Sequence, residues 1–168
     1  MIHGSLDVVR RGYLGREGEV LAVKLLKRKG FKRISRFHYS HAFADIMATR
    51  NGKTYVISVK ARNKYVKGSN GRKLNPRYKL GKAPKCLDQA QRLAKKYNAI
   101  PAWLTIAVDR QSYDAYFGTI SQLQSLLVGG RKLSGKGVIM TPEYLKHYLV
   151  LAKNRRHNLD YPRFRNDR

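Results

Sequence analysis

The stretch from Asp45 to Lys60, DIMATRNGKTYVISVK, decides the fold. Asn51-Gly52 separates two β-prone runs, and Asn-Gly accepts the positive φ angles of a tight type I′ turn, so the segment reads as a hairpin. With Asn51 and Gly52 as the turn, Arg50 pairs with Lys53, and counting back along the ladder sets Asp45 opposite Ser58. Partners across such a ladder have Cβ atoms about 4.5–5.5 Å apart, and a diagonal neighbour such as Lys60 lies about 7–8 Å away. Asp45, Ser58 and Lys60 are therefore expected on one face, and Tyr55, Ile57 and Val59 on the other.

An aspartate at that position is unusual for this composition. The chain has 168 residues with 36 Lys and Arg against 10 Asp and Glu, a net charge of +26 and a pI near 10.6. Folding must work against that self-repulsion, and a polyanionic partner is its natural counterpart. The cations are interleaved with tyrosines through folded-looking segments, which favours nucleic acid over an anionic membrane. No apolar run approaches the length of a membrane span, and MIHGSLDVVRRG has no signal-peptide core. A soluble protein in the cytoplasm, or associated with a nucleoid, is expected, and a viral origin is compatible with it. The single cysteine, Cys86, excludes an internal disulfide and reads as a small buried residue.

Working outward, residues 16–29, REGEVLAVKLLKRK, read as a helix closed by Gly30, with Ala22, Val23, Leu25 and Leu26 on one stripe. Glu19 falls inside that stripe, whereas Glu17 projects from the other side. Residues 31–37 read as a strand, followed by a loop with His38, Ser40 and His41. Residues 62–85 hold nine cations and no acid, and read as a long basic loop with Tyr65 and Tyr78 among the charges. A second helix is expected over 87–97, strands over 102–108 and 113–120, a short helix after 120, and a C-terminal helix over 142–157. The sum is an α/β chain with a central mixed sheet flanked by helices. One domain is expected over 1–155, carrying the basic loop 62–85, with a basic tail over 156–168.

An acid facing a lysine across a hairpin is commonly an ion pair. Here the acid is one of few, its strands look buried, and Glu19 offers a second carboxylate from the neighbouring helix. One or two carboxylates with water and substrate phosphate are what Mg²⁺ takes, and Mn²⁺ accepts similar ligands. A lysine beside such a site can orient water and offset charge developing on phosphorus. The set suits metal-assisted phosphodiester hydrolysis.

The order of these elements resembles the PD-(D/E)xK nucleases, and most of all the archaeal Holliday-junction resolvases. The likeness rests on Glu19 in the first helix, Gly30-Phe31 at its end, ADI around Asp45, the Asn51-Gly52 turn, SVK at 58–60, and QAQRLAKKYNAIPAWLTIAV downstream; it covers about Gly15 to Val108. It implies a restriction-endonuclease-like core and a Mg²⁺-dependent endodeoxyribonuclease acting on Holliday junctions or other branched DNA in recombination and repair. It also implies a homodimer, a metal held by Asp45, Glu19 and a backbone carbonyl near Val59, and Lys60 as the water-orienting group. A restriction-type or intron-encoded (homing) endonuclease shares the same core and stays open.

Two positions depart from the pattern. Ala44 replaces the usual Pro at the start of the strand, a minor change. Ser58 stands where the second metal-binding acid belongs. Either the acid has migrated, with Glu19 the leading replacement and Asp88 or Glu17 behind it, or Ser58 is an inactivating substitution, or the chain is a non-catalytic DNA-binding descendant.

Phosphate contacts are expected from Arg16, Ser40, Arg62, Lys64, Lys67, Arg72, Lys73, Arg77 and Lys79. Ser40 enters through the resemblance, displaced by a residue from the family's loop serine. His38 and His41 read as structural or phosphate-contacting rather than metal-binding. Gln89 and Gln91 read as polar helix residues, with a place near the scissile phosphate as the alternative. Trp103 and Tyr116 read as packing residues.

Overall fold

Helix α1 spans His3–Arg28, longer at its N-terminal end than the pattern of 16–29 suggested. The structure is a computed structural model describing residues 3–37, 43–81 and 85–157, with side chains from Leu14 onward. The helix stops where expected. Gly30 takes φ +81°, its N–H donates to Lys27 O at 3.1 Å, and Phe31 N–H donates to Leu26 O at 3.0 Å. That pair of bonds satisfies two of the orphan carbonyls at the helix end and needs the left-handed conformation glycine tolerates.

Strand β1 (Lys32–Arg36) leads to the hairpin of β2 (Ile46–Arg50) and β3 (Lys53–Asn63). Arg50 pairs with Lys53, and Asn51 and Gly52 take φ values of 50° and 73°, as the turn chemistry requires. The 62–85 segment is not the irregular loop expected. It folds into a hairpin of β4 (Tyr65–Gly68) and β5 (Gly71–Leu74), then β6 (Arg77–Lys79). Tyr78 and Leu80 are fully buried, so Tyr78 is a core residue and not one of a row of exposed aromatics.

Helix α2 (Lys85–Tyr97) buries Cys86, Ala90 and Leu93. Strand β7 (Ile100–Val108) then runs parallel to β3 and antiparallel to β8 (Ser112–Thr119). Helix α3 (Ile120–Ser125) starts at once, capped by Thr119 and Gln122 in reciprocal hydrogen bonds. The short β9 (Leu127–Val128) and β10 (Arg131–Lys132) pair with each other, and β11 (Gly137–Ile139) pairs with β6.

The expected C-terminal helix is largely a strand. Helix α4 covers Pro142–Leu145, and Leu149–Arg156 form β12, antiparallel to β8. Local propensity loses here to pairing: Tyr113 to Phe117 of β8 are buried, and leaving their outer backbone groups without partners would cost more than a surface helix gains. Arg156 therefore belongs to the sheet and not to a tail, and residues 158–168 lie outside the described residues.

The six-stranded sheet has the order β1-β2-β3-β7-β8-β12, mixed as expected. One face carries α1, with Leu14, Ala22, Leu25 and Leu26 against Ile57, Val59, Ala61, Leu104 and Ile106. The other face carries Val56, Trp103 and Tyr116 under Ala90 and Leu93 of α2, Tyr78, Leu80 and Leu123. Trp103 and Tyr116 are packing residues, as read.

Helix α1 approaches β3 unusually closely at one point: a Cβ on Gly18 would lie 2.5 Å from the Cβ of Ala61. Overpacking of this kind costs about 1–3 kcal/mol. Gly18→Ala should destabilise the protein by about that amount in chemical denaturation, whereas Gly15→Ala, with nothing within 4 Å, should be neutral or stabilise by up to ~1 kcal/mol.

Candidate active site

The β2–β3 ladder ends one pair early. Ile46 opposes Ile57, and the N–H of Asp45 still reaches Ile57 O at 2.9 Å. The Asp45 side chain then turns into the opening gap, where Oδ2 accepts the N–H of Val59 at 2.7 Å. The N–H and C=O of one strand residue point the same way, so the Val59 carbonyl also faces this gap.

Lys60 brings its Nζ to 4.0 Å from Asp45 Oδ2, an ion pair too long for a hydrogen bond. Both side chains are mostly sheltered, with 19% of Lys60 and 25% of Asp45 exposed. Burial raises the Asp45 carboxyl above its ordinary pKa and the charge of Glu19 adds to the rise, while Lys60 and the Val59 N–H pull the other way without cancelling it. Glu19 therefore acts electrostatically on Asp45 from α1. Its Oε2 accepts Arg36 Nη2 at 2.8 Å.

Sequence reasoning missed Arg36, although the pairing of Arg36 with Ile46 sets it beside Asp45. Its signal was indirect: in a chain this poor in acids, a sheltered glutamate needs a cation nearby.

The Ser58 hydroxyl is bonded away from the Asp45 carboxylate. The residue is fully buried, and its Oγ donates to Leu80 O at a long 3.5 Å. The register is the expected one over Ile46–Arg50, and the unbroken alternation of β3 keeps Ser58 and Lys60 on one face, whereas the Asp45 carboxylate lies past the last pair and turns to the Val59 N–H. Asp88 is exposed at the start of α2 and Glu17 is half-buried; of these three acids only Glu19 figures among the groups acting on Asp45. His38, Ser40 and His41 lie outside the described residues. Gln91 is exposed, and Gln89 Oε1 is buried without a hydrogen-bond partner.

The expected phosphate-contacting cations divide into two sets. Arg16, Arg62, Lys67, Lys73, Arg77 and Lys79 are exposed, with Arg62 also donating to Ala61 O at 2.8 Å. Lys64 is instead committed to Asp114 at 2.8 Å, and Arg72 is paired with Asp109. The few acids recruit these two cations into the fold.

Among the described residues no group of three or more His, Cys, Asp and Glu side chains comes together. Two carboxylates, Asp45 and Glu19, with the Val59 carbonyl are all-oxygen donors; they match in kind what Mg²⁺ accepts and lack the nitrogen or sulfur of a structural zinc site.

The fold matches that of Hjc from Archaeoglobus fulgidus, a Holliday junction resolvase from an archaeal hyperthermophile. The TM-score is 0.55 at 17% identity, over 82% of this chain and 97% of that one. The core is thus restriction-endonuclease-like. No family model and no curated protein matches the sequence.

Asp114 offers a test of the electrostatics. Burial pushes its carboxyl up, but hydrogen bonds from Lys64 and the Asn154 N–H and the charges of Lys64 and Lys153 hold it below its ordinary pKa. A carboxyl depressed in the folded state stabilises above its unfolded pKa of about 3.9, and that contribution is lost as pH falls through the folded value. Wild-type stability should therefore fall on acidification below about pH 5, and Asp114→Asn, followed by denaturation across pH, should flatten part of that slope.

Proposed function

We propose that the protein is a metal-dependent endonuclease that hydrolyses phosphodiester bonds in DNA, with branched DNA as the preferred substrate. The observation that carries this reading is the placement of Asp45: a sheltered carboxylate in the gap where two strands part, beside Lys60 and under the influence of Glu19. The fold shared with a Holliday junction resolvase supports it, as does the charge of +26. The preference for branched DNA and a working homodimer come from that likeness.

Asp45, Glu19 and the Val59 carbonyl would hold a divalent cation, Mg²⁺ or Mn²⁺. When bound, it supplies Lewis-acid polarisation of a phosphate oxygen. Lys60 orients the attacking water and offsets negative charge as it develops on the phosphate. The Val59 N–H fixes one oxygen of Asp45, and Arg36 fixes one oxygen of Glu19, so both carboxylates are held before substrate arrives.

Ser58 takes no part in this scheme, because its hydroxyl faces Leu80. The relocated-acid explanation, with Glu19 as the second carboxylate, fits this geometry. A non-catalytic DNA-binding role is the rival, favoured by the engagement of Glu19 with Arg36.

Cleavage of a four-way junction, a linear duplex and single-stranded DNA across Mg²⁺ and Mn²⁺ separates them. Wild type and Ser58→Ala should nick the junction at similar rates, while Asp45→Asn and Lys60→Ala should each lose about 10²–10³-fold, with DNA binding retained. Tight binding without cation-dependent cleavage by the wild type would reject the enzyme. Cleavage that survives Asp45→Asn would reject the site.

A further inference from the structure

The β4–β5 hairpin is held to the sheet by more contacts than a surface excursion needs. Lys64 N–H donates to Val108 O at 2.8 Å, Asn75 N–H donates to Lys64 O at 2.9 Å, and Asn75 Nδ2 donates to Asn63 O at 3.2 Å. Lys64 is paired with the buried Asp114, Arg72 is paired with Asp109, and the Arg72 guanidinium lies 4.5 Å over the Tyr65 ring. Two of the chain's 10 acids are thus spent on fixing the base of this hairpin.

Its ladder pairs Tyr65 with Leu74, Val66 with Lys73, Lys67 with Arg72 and Gly68 with Gly71. Side chains alternate between faces, so Tyr65, Lys67, Arg72 and Leu74 share one face and Val66, Gly68, Gly71 and Lys73 the other. The first face is tied to the body through Arg72, which stacks on Tyr65 and pairs with Asp109. The second is free and thin. Val66 is exposed, Lys73 stands directly across from it, and the two glycines leave the tip without side chains before the exposed Ser69 and Asn70.

We infer that β4–β5 is a preformed ribbon that lies in the major groove of duplex DNA, an inference that rests on the DNA-directed reading above and names how that partner is held. The B-form major groove, about 12 Å wide, admits a two-stranded ribbon, whereas the deep, narrow major groove of an A-form RNA duplex does not. Lys67 and Lys73 would meet phosphates along the groove walls, and the Asn70 amide at the tip has the donor and acceptor pair that reads an adenine edge. Val66 offers apolar contact to a thymine methyl. The ribbon begins five residues beyond Lys60, roughly 16 Å along an extended chain, so its contacts fall outside the Asp45–Lys60 site.

The test uses the 168-residue chain in EDTA, so that binding is read without cleavage. Affinity for a DNA duplex and for an RNA duplex of the same sequence is followed against salt, and protection of guanine N7 from dimethyl sulfate reports occupation of the major groove. Wild type should protect N7 positions and prefer DNA. Lys67→Ala/Lys73→Ala should lose that protection and reduce the salt slope by about 2, and Asn70→Ala should weaken binding to preferred sequences while leaving the slope unchanged. Thermal melts matching wild type show that the variants are folded, as expected for exposed positions. Absence of N7 protection by wild type, equal binding of the RNA duplex, or a double variant with an unchanged slope would each overturn the ribbon. If the ribbon results hold and Mg²⁺ yields no cleavage, the nuclease reading fails alone; if wild type cleaves and the ribbon variants bind as it does, the ribbon fails alone.

Discussion

The hydrogen bond from the Val59 N–H to Asp45 Oδ2 does what a strand partner would otherwise do. A central strand cannot leave a sheltered N–H unpaired without a penalty of the order of a lost hydrogen bond, so a strand that parts from its neighbour needs a substitute acceptor. The carboxylate provides it, and the gap it fills then contains an acid, a backbone carbonyl and the start of Lys60. On the other side of that strand, β7 keeps β3 paired in parallel to Asn63, which prevents β3 from bending after β2. The close contact of Gly18 with Ala61 brings α1 down onto the same strand, and the next residue in the helix is Glu19. Site geometry follows from backbone satisfaction on one side of β3 and from a missing side chain above it.

Charge is distributed with similar economy. Glu19 is matched by Arg36, Asp109 by Arg72, and Asp114 by Lys64 and Lys153. Pairs as exposed as Glu19–Arg36 and Asp109–Arg72 add little net stability, because solvent screens most of the Coulombic gain. Their effect is on position. Lys64 and Arg72 sit in a run of cations that would otherwise repel one another, and each is given one place to go. Lys153 also donates to the Tyr116 hydroxyl at 3.1 Å, which ties β12 to β8 through side chains as well as through the ladder.

The hairpin was legible because Asn51-Gly52 allows one register, and the register fixes which residues face one another. The mixed sheet was legible from the order of strands and helices around that hairpin. What escaped was anything decided at a distance. The direction of the Asp45 carboxylate could not be counted from alternation, which holds only while the ladder lasts, and the ladder stops at Ile46. The 142–157 segment has the periodicity of a helix, yet the open side of β8 claims residues 149–156. Residues 62–85 look like a loop when scored for composition, since their order comes from Asp109, Asp114 and β11, all far along the chain. Arg36 carried no local mark, and its role appears only once β1 lies beside β2.

Both margins of the sheet are uneven. Strand β1 slips register between Lys32 and Ser35, with Arg33 at φ 48°, and β12 slips twice, with Asn154 at φ 45° so that its N–H turns to Asp114. Bulges twist a margin away from the flat geometry that another strand would need, and the cations Lys32, Arg36, Lys153, Arg155 and Arg156 line these same margins. Two copies of this chain are thereby discouraged from joining sheet to sheet. Open-ended strand addition at these two margins, the route that leads to fibres, is disfavoured in the same way.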